Sequence, residues 1–75
     1  MNEQLNKLNE ILAKLEKETD FPHGRVQVFI SDEHFVIKID GKDWSNYLEF
    51  YETLDELTVL FRGIALGKGK EWRYS

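Results

Sequence analysis

The sequence predicts a small two-layer α+β domain of the order helix–β-hairpin–helix, with a short third strand at the C-terminus as one option. Three observations lead there. Leucines recur at helical spacing near the start, residues 25–40 alternate apolar and polar and fold back on themselves, and a second helical stripe begins near residue 46. Seventy-five residues hold one domain, 1–75, because single cores usually run to roughly 100–150 residues.

The first helix is expected over residues 2–18. Leu5, Leu8, Leu12 and Leu15 are spaced 3, 4 and 3, and Ile11 widens the stripe. At about 100° per residue these five side chains span about 120°, the width of a core-facing face. Glu3–Lys7 and Glu10–Lys14 are i,i+4 pairs in the favourable order on the opposite side, each worth roughly 0.2–0.5 kcal/mol. Asp20-Phe21-Pro22-His23-Gly24 then ends the helix. Pro22 disfavours helical geometry at Phe21, and Gly24 permits a turn.

Residues 25–40 read as a hairpin whose register can be deduced. With Asp32-Glu33 as a two-residue turn, Ile30 faces Phe35, Val28 faces Ile37 and Val26 faces Ile39, all apolar and all on one face. The other face pairs Phe29 with Val36, Gln27 with Lys38 and Arg25 with Asp40. A slip of one residue destroys that segregation. Asp-Glu is not the favoured Asn-Gly chemistry, so a four-residue loop is the alternative. Asp40-Gly41-Lys42-Asp43 reads as a tight turn closing the second strand.

The second helix is expected over 46–66, opened by a capping box of Asn46 and Glu49 and stopped by Gly67. Phe50, Leu54, Leu57, Phe61 and Ile64 form its core face, extended by Tyr47 and Tyr51. Leu54 and Phe61 are expected in the core. The tail, 67–75, fits either a short strand or a disordered end. Covering the apolar side of the hairpin with both helix stripes gives the two layers. A core this small stabilises weakly, which makes a homodimer a reasonable supplement.

The chemistry the chain excludes is clearer than the chemistry it offers. It has no cysteine, hence no disulfide, thiol nucleophile or thiolate metal site. No apolar run approaches the roughly 18 residues of a membrane span, and residues 1–12 lack a basic region followed by an apolar one, so neither membrane insertion nor a signal peptide is expected. His23 and His34 read as exposed loop histidines. A metal site of His34, Asp32 and Glu33 with a remote His23 lacks ligand spacing, since neighbours on a tight turn diverge. Gly63 to Lys70 contains glycine and lysine but follows a helix, whereas a phosphate loop precedes one. No enzyme activity and no cofactor is expected, and the setting is expected to be cytoplasmic.

Three surfaces remain as binding candidates. Phe29 and Val36 oppose each other on the outer face of the hairpin, and Trp44 either joins them or caps the core. Leu48, Val59 and Leu66 read as a second apolar stripe on helix two. Contiguous apolar patches mark interfaces, so the leading expectation is a non-enzymatic protein that binds a protein partner or a second copy of itself. The second surface is the acidic set Glu49, Glu52, Asp55 and Glu56, a docking face for a basic partner or a mimic of a phosphate backbone. The third is the tail, where Lys68, Lys70 and Arg73 against Glu71 alternate with Trp72 and Tyr74. That alternation suits stacking on nucleic-acid bases, although a formal charge of −4 opposes general polyanion binding.

The order helix–strand–strand–helix resembles that of the double-stranded-RNA-binding domain. That family has three strands between its helices and a basic start to the second helix. Here two strands are read, and residues 45–66 hold four acids against Arg62. The departure falls on the binding surface, so RNA binding is not expected to follow. Short acidic chains of this style are typical of accessory and mobile-element genes, including phage genes.

Overall fold

The computed structural model describes residues 2–67. The order is α1 (Asn2–Thr19), β1 (Val26–Ser31), β2 (His34–Ile39), β3 (Lys42–Leu48) and α2 (Phe50–Leu66). The three strands form one antiparallel sheet in the order β1-β2-β3. Both helices lie against its inner face and against each other. The small α+β class stands, with a third strand where the sequence reading placed only a turn and the start of a helix. The alternative of a strand in the tail concerns residues outside those described.

Helix α1 buries Leu8, Leu12 and Glu16, with Leu5 and Leu15 half-buried against the core. Its end is set earlier than Pro22. Asp20 takes a left-handed φ of 57°, and the Phe21 N–H donates to Glu16 O at 2.9 Å, closing the last turn.

The first hairpin has the deduced register, with Val26 against Ile39, Val28 against Ile37 and Ile30 against Phe35. The loop is the two-residue form. Asp32 and Glu33 both have left-handed φ, 51° and 61°, which matches the twist of the flanking strands. The second hairpin repeats the device at Asp40 and Gly41, φ 52° and 81°, and returns the chain as β3. Two bulges interrupt the β2–β3 ladder, where Phe35 pairs with Leu48, Ile37 with Ser45, and Lys38 with Asp43.

Helix α2 starts at Phe50, not at Asn46, because residues 42–48 are committed to the sheet. Its capping box uses Glu49 and Glu52, and the Glu49 N–H donates to Glu52 Oε1 at 2.8 Å. Its buried face is Thr53, Leu57, Leu60, Phe61 and Ile64. That arc is turned toward Leu60 relative to the expected stripe. Phe50 and Leu54 are therefore only half-buried, and Tyr51 is 76% exposed. Tyr47 and Leu48 belong to β3 and not to the helix.

Candidate interaction surface

The bulges decide which β3 side chains reach which face. Ser45 opposes Ile37 on the core side, and Trp44 beside it also packs on the core. The first bulge thus turns two consecutive residues inward. Asn46 and Tyr47 then both line the outer side, before Leu48 returns to the core opposite Phe35. Tyr47 is held at a left-handed φ of 58°, the backbone setting of a bulge that re-aims a side chain.

A shallow groove of about 400 Å³ results on the outer face, lined by Phe29, Val36, Lys38, Asp43, Asn46 and Tyr47 among others. Phe29 is 42% and Tyr47 69% exposed. The Lys38 ammonium lies 5.5 Å from the Phe29 ring centre and 3.7 Å from Asp43 Oδ1. An aromatic, an aliphatic and a phenol thus share one face with a charged pair at its edge. Of the expected patch, Phe29 and Val36 share this groove, while Trp44 faces the core. Tyr47 takes the place expected for Trp44. Sequence reasoning missed it because it was assigned to the helix. The signal for it was Asp40-Gly41, a strong two-residue hairpin turn that implies a strand after it.

The other candidates are placed as follows. Glu49, Glu52 and Asp55 are exposed at the start of α2, and Glu56 is half-buried. Val59 and Leu66 are exposed on α2, but Leu48 does not continue their stripe. Lys68, Lys70, Trp72, Arg73 and Tyr74 lie outside the described residues. The two imidazoles are engaged locally. His34 Nδ1–H donates to Asp32 O at 2.7 Å, and its Nε2 lies 3.3 Å from Glu49 Oε2. His34 also meets the Tyr47 ring edge-on at 5.7 Å. His23 Nδ1 lies 2.8 Å from Glu16 Oε1. Glu16 is only 5% exposed and also accepts the Gly24 N–H at 3.4 Å. This carboxylate ties the α1–β1 loop to the helix, a role its polar character concealed in the sequence. Among the described residues no three His, Asp or Glu side chains gather to hold a metal, and no helix is long and apolar enough to cross a membrane.

Comparison with protein-family models, with curated proteins and with solved structures finds no match. The third strand does remove one of the two departures from the double-stranded-RNA-binding element order. The other stands, because α2 opens on acids.

Proposed function

We propose that this protein is a non-enzymatic binding module that engages a partner protein through the outer face of its sheet. The observation that carries the reading is the exposed Phe29 beside Val36 and Tyr47 on the face that neither helix covers. Polar residues would suffice there for a sheet meeting only water, and exposed aromatics are the side chains that anchor interfaces. Lys38 and Asp43 at the rim supply orientation more than affinity. The histidines are engaged in holding loops, which favours binding over catalysis. An accessory role of the phage or mobile-element kind fits this size and charge.

A second reading has its own observation. Residues 68–75 hold three basic side chains and one acid, so residues 1–67 hold seven Lys and Arg against thirteen Asp and Glu. With Glu49, Glu52 and Asp55 exposed together, α2 would dock a basic partner and imitate a phosphate backbone. The same charge repels nucleic acid from the body of the protein, which leaves the aromatic–basic tail as the sole support for nucleic-acid binding.

The test is capture from the native host with tagged wild type, followed by calorimetry on the purified partner. Phe29→Glu with Val36→Lys should weaken binding at least about tenfold, the scale of losing an interface anchor, with an unchanged circular dichroism spectrum. Affinity insensitive to that pair but lost on Glu52→Lys with Asp55→Lys would overturn the sheet-face reading in favour of the acidic one.

A further inference from the structure

Helix α2 has an outward stripe as ordered as its buried one. Tyr51, Asp55, Val59, Arg62 and Leu66 are spaced 4, 4, 3 and 4. At about 100° per residue the five fall within about 80° of one another, opposite the buried face of Thr53, Leu57, Leu60, Phe61 and Ile64. All five are exposed, Tyr51 at 76%, Val59 at 59% and Leu66 at 83%. Apolar side chains thus stand at both ends of the stripe and near its middle, with one acid and one base between them. Asp55 and Arg62 are separated by two turns of helix, about 10 Å, too far to pair with each other. Neither makes an ion pair among the described residues. The stripe read backwards complements itself. Reversal about Thr58 and Val59 brings Tyr51 onto Leu66 and exchanges Asp55 with Arg62.

We propose that this stripe packs on the same stripe of a second copy, the two α2 helices running antiparallel about a two-fold axis beside Thr58 and Val59. Charge complementarity names the occupant and the direction. In the antiparallel register Asp55 of each copy meets Arg62 of the other, so one favourable pair is made twice, and such pairs fix register. Parallel helices would set Asp55 against Asp55 and Arg62 against Arg62. They would also bring the exposed Glu49 and Glu52 beside their own copies, which a chain of net charge −4 tolerates poorly. The antiparallel arrangement carries these acids to opposite ends of the contact. The apolar residues follow the same symmetry. Tyr51 covers Leu66 at each end, and the two Val59 side chains meet beside the axis. A crossing angle near 20°, that of long helix pairs, keeps both ends in contact. One patch serves twice, and the contact closes on itself without extending into a fibre. A single helix pair is a small contact beside stable interfaces, which bury roughly 1,200–2,000 Å², so the dimer is a weak one that forms at high concentration.

The test is sedimentation velocity of the full chain from micromolar to millimolar. Wild type should dimerise within that range, and a chain that stays monomeric throughout would overturn the proposal. Val59→Glu sets two carboxylates together beside the axis. It should weaken association at least about tenfold with an unchanged circular dichroism spectrum, and an unchanged constant would mean that copies meet elsewhere. Charge reversal tests the register. Asp55→Arg alone and Arg62→Asp alone each set like charges against one another twice, and each should dissociate about tenfold more readily than wild type. Asp55→Arg together with Arg62→Asp on one chain restores both pairs and should restore the wild-type constant. Single reversals without effect, or a double reversal no tighter than the singles, would overturn the antiparallel register. Val59→Glu touches neither the outer face of the sheet nor Glu52, so partner binding that survives it leaves the sheet-face reading standing whatever the dimer does.

Discussion

The first hairpin turn is one place where this chain holds avoidable strain. Asp32 and Glu33 both sit in the left-handed region, at φ 51° and 61°. That region costs an L-residue roughly 1–2 kcal/mol, less for Asp, whose short polar side chain bonds locally. Glu33 has no such help and contributes most of the cost. Glu33→Gly removes it but frees the unfolded chain, which returns about 0.4–1 kcal/mol. The expected net gain is about 1 kcal/mol, or a thermal midpoint higher by roughly 4–8 °C in a domain of this size. The second turn supplies the control. Gly41 has φ 81°, and nothing lies within 4 Å of where a Cβ would stand. Gly41→Ala therefore meets no clash and should lose about 1 kcal/mol through backbone conformation alone. Urea and thermal unfolding followed by circular dichroism measure both, with an unchanged denaturant slope confirming the same folded state. A midpoint for Glu33→Gly equal to or below wild type, beside a lowered Gly41→Ala, would refute the reasoning. It would mean that the turn at 32–33 relaxes into a longer loop and does not pin the register.

Two further substitutions test the packing. Phe61 is 1% exposed and meets Phe21 edge-on at 5.6 Å, so Phe61→Ala should cost about 3–5 kcal/mol. Half-buried Leu54→Ala should cost clearly less, and exposed Tyr51→Ser and Val59→Ser should stay within about 0.5 kcal/mol. Equal losses at Phe61 and Val59 would put the helix face elsewhere. Glu16→Ala removes the carboxylate that His23 and the Gly24 N–H share, and urea unfolding should show a loss of about 1–3 kcal/mol. Glu16→Gln should recover part of it, and an unmoved midpoint for Glu16→Ala would deny the latch.

The hairpin was legible in the sequence because its two strands check each other. Six apolar residues fall on one face in only one register, so the pairing of Val28 with Ile37 and the outward placement of Phe29 and Val36 both followed. Helix α1 was legible for the same reason, except at Glu16, where a carboxylate occupies a buried position among leucines. Its partners, an imidazole and a backbone N–H seven and eight residues on, belong to a loop whose path no periodicity encodes. On α2 the stripe was read a little off axis. Thr53 is buried with its hydroxyl donating to Glu49 O at 2.8 Å, and satisfaction by the helix itself lets a polar residue face the core.

Strand β3 was hidden because its side chains do not alternate. In Lys42-Asp-Trp-Ser-Asn-Tyr-Leu48 two neighbours turn inward and the next two turn outward. Period two finds no strand there and extends the following helix backwards, which makes Asn46 read as a cap and Tyr47 as a helix residue. The same irregularity makes the outer face what it is. A regular strand continuing from Asp43 on the outer side would set Ser45 outward and Tyr47 outward with Asn46 inward, burying an amide beside the core and leaving a serine in the groove. The bulges exchange those two side chains, turning Ser45 to the core side and Asn46 into the groove beside Tyr47, at the expense of a left-handed non-glycine residue. Bulges cluster where a side chain must be re-aimed, and backbone held in a sparsely populated region persists only where its surroundings fix it. His34 against the Tyr47 ring and against Glu49 is that surrounding fixture here. The feature that breaks the sequence pattern therefore also decides which polar residue lines the candidate interaction surface beside Tyr47.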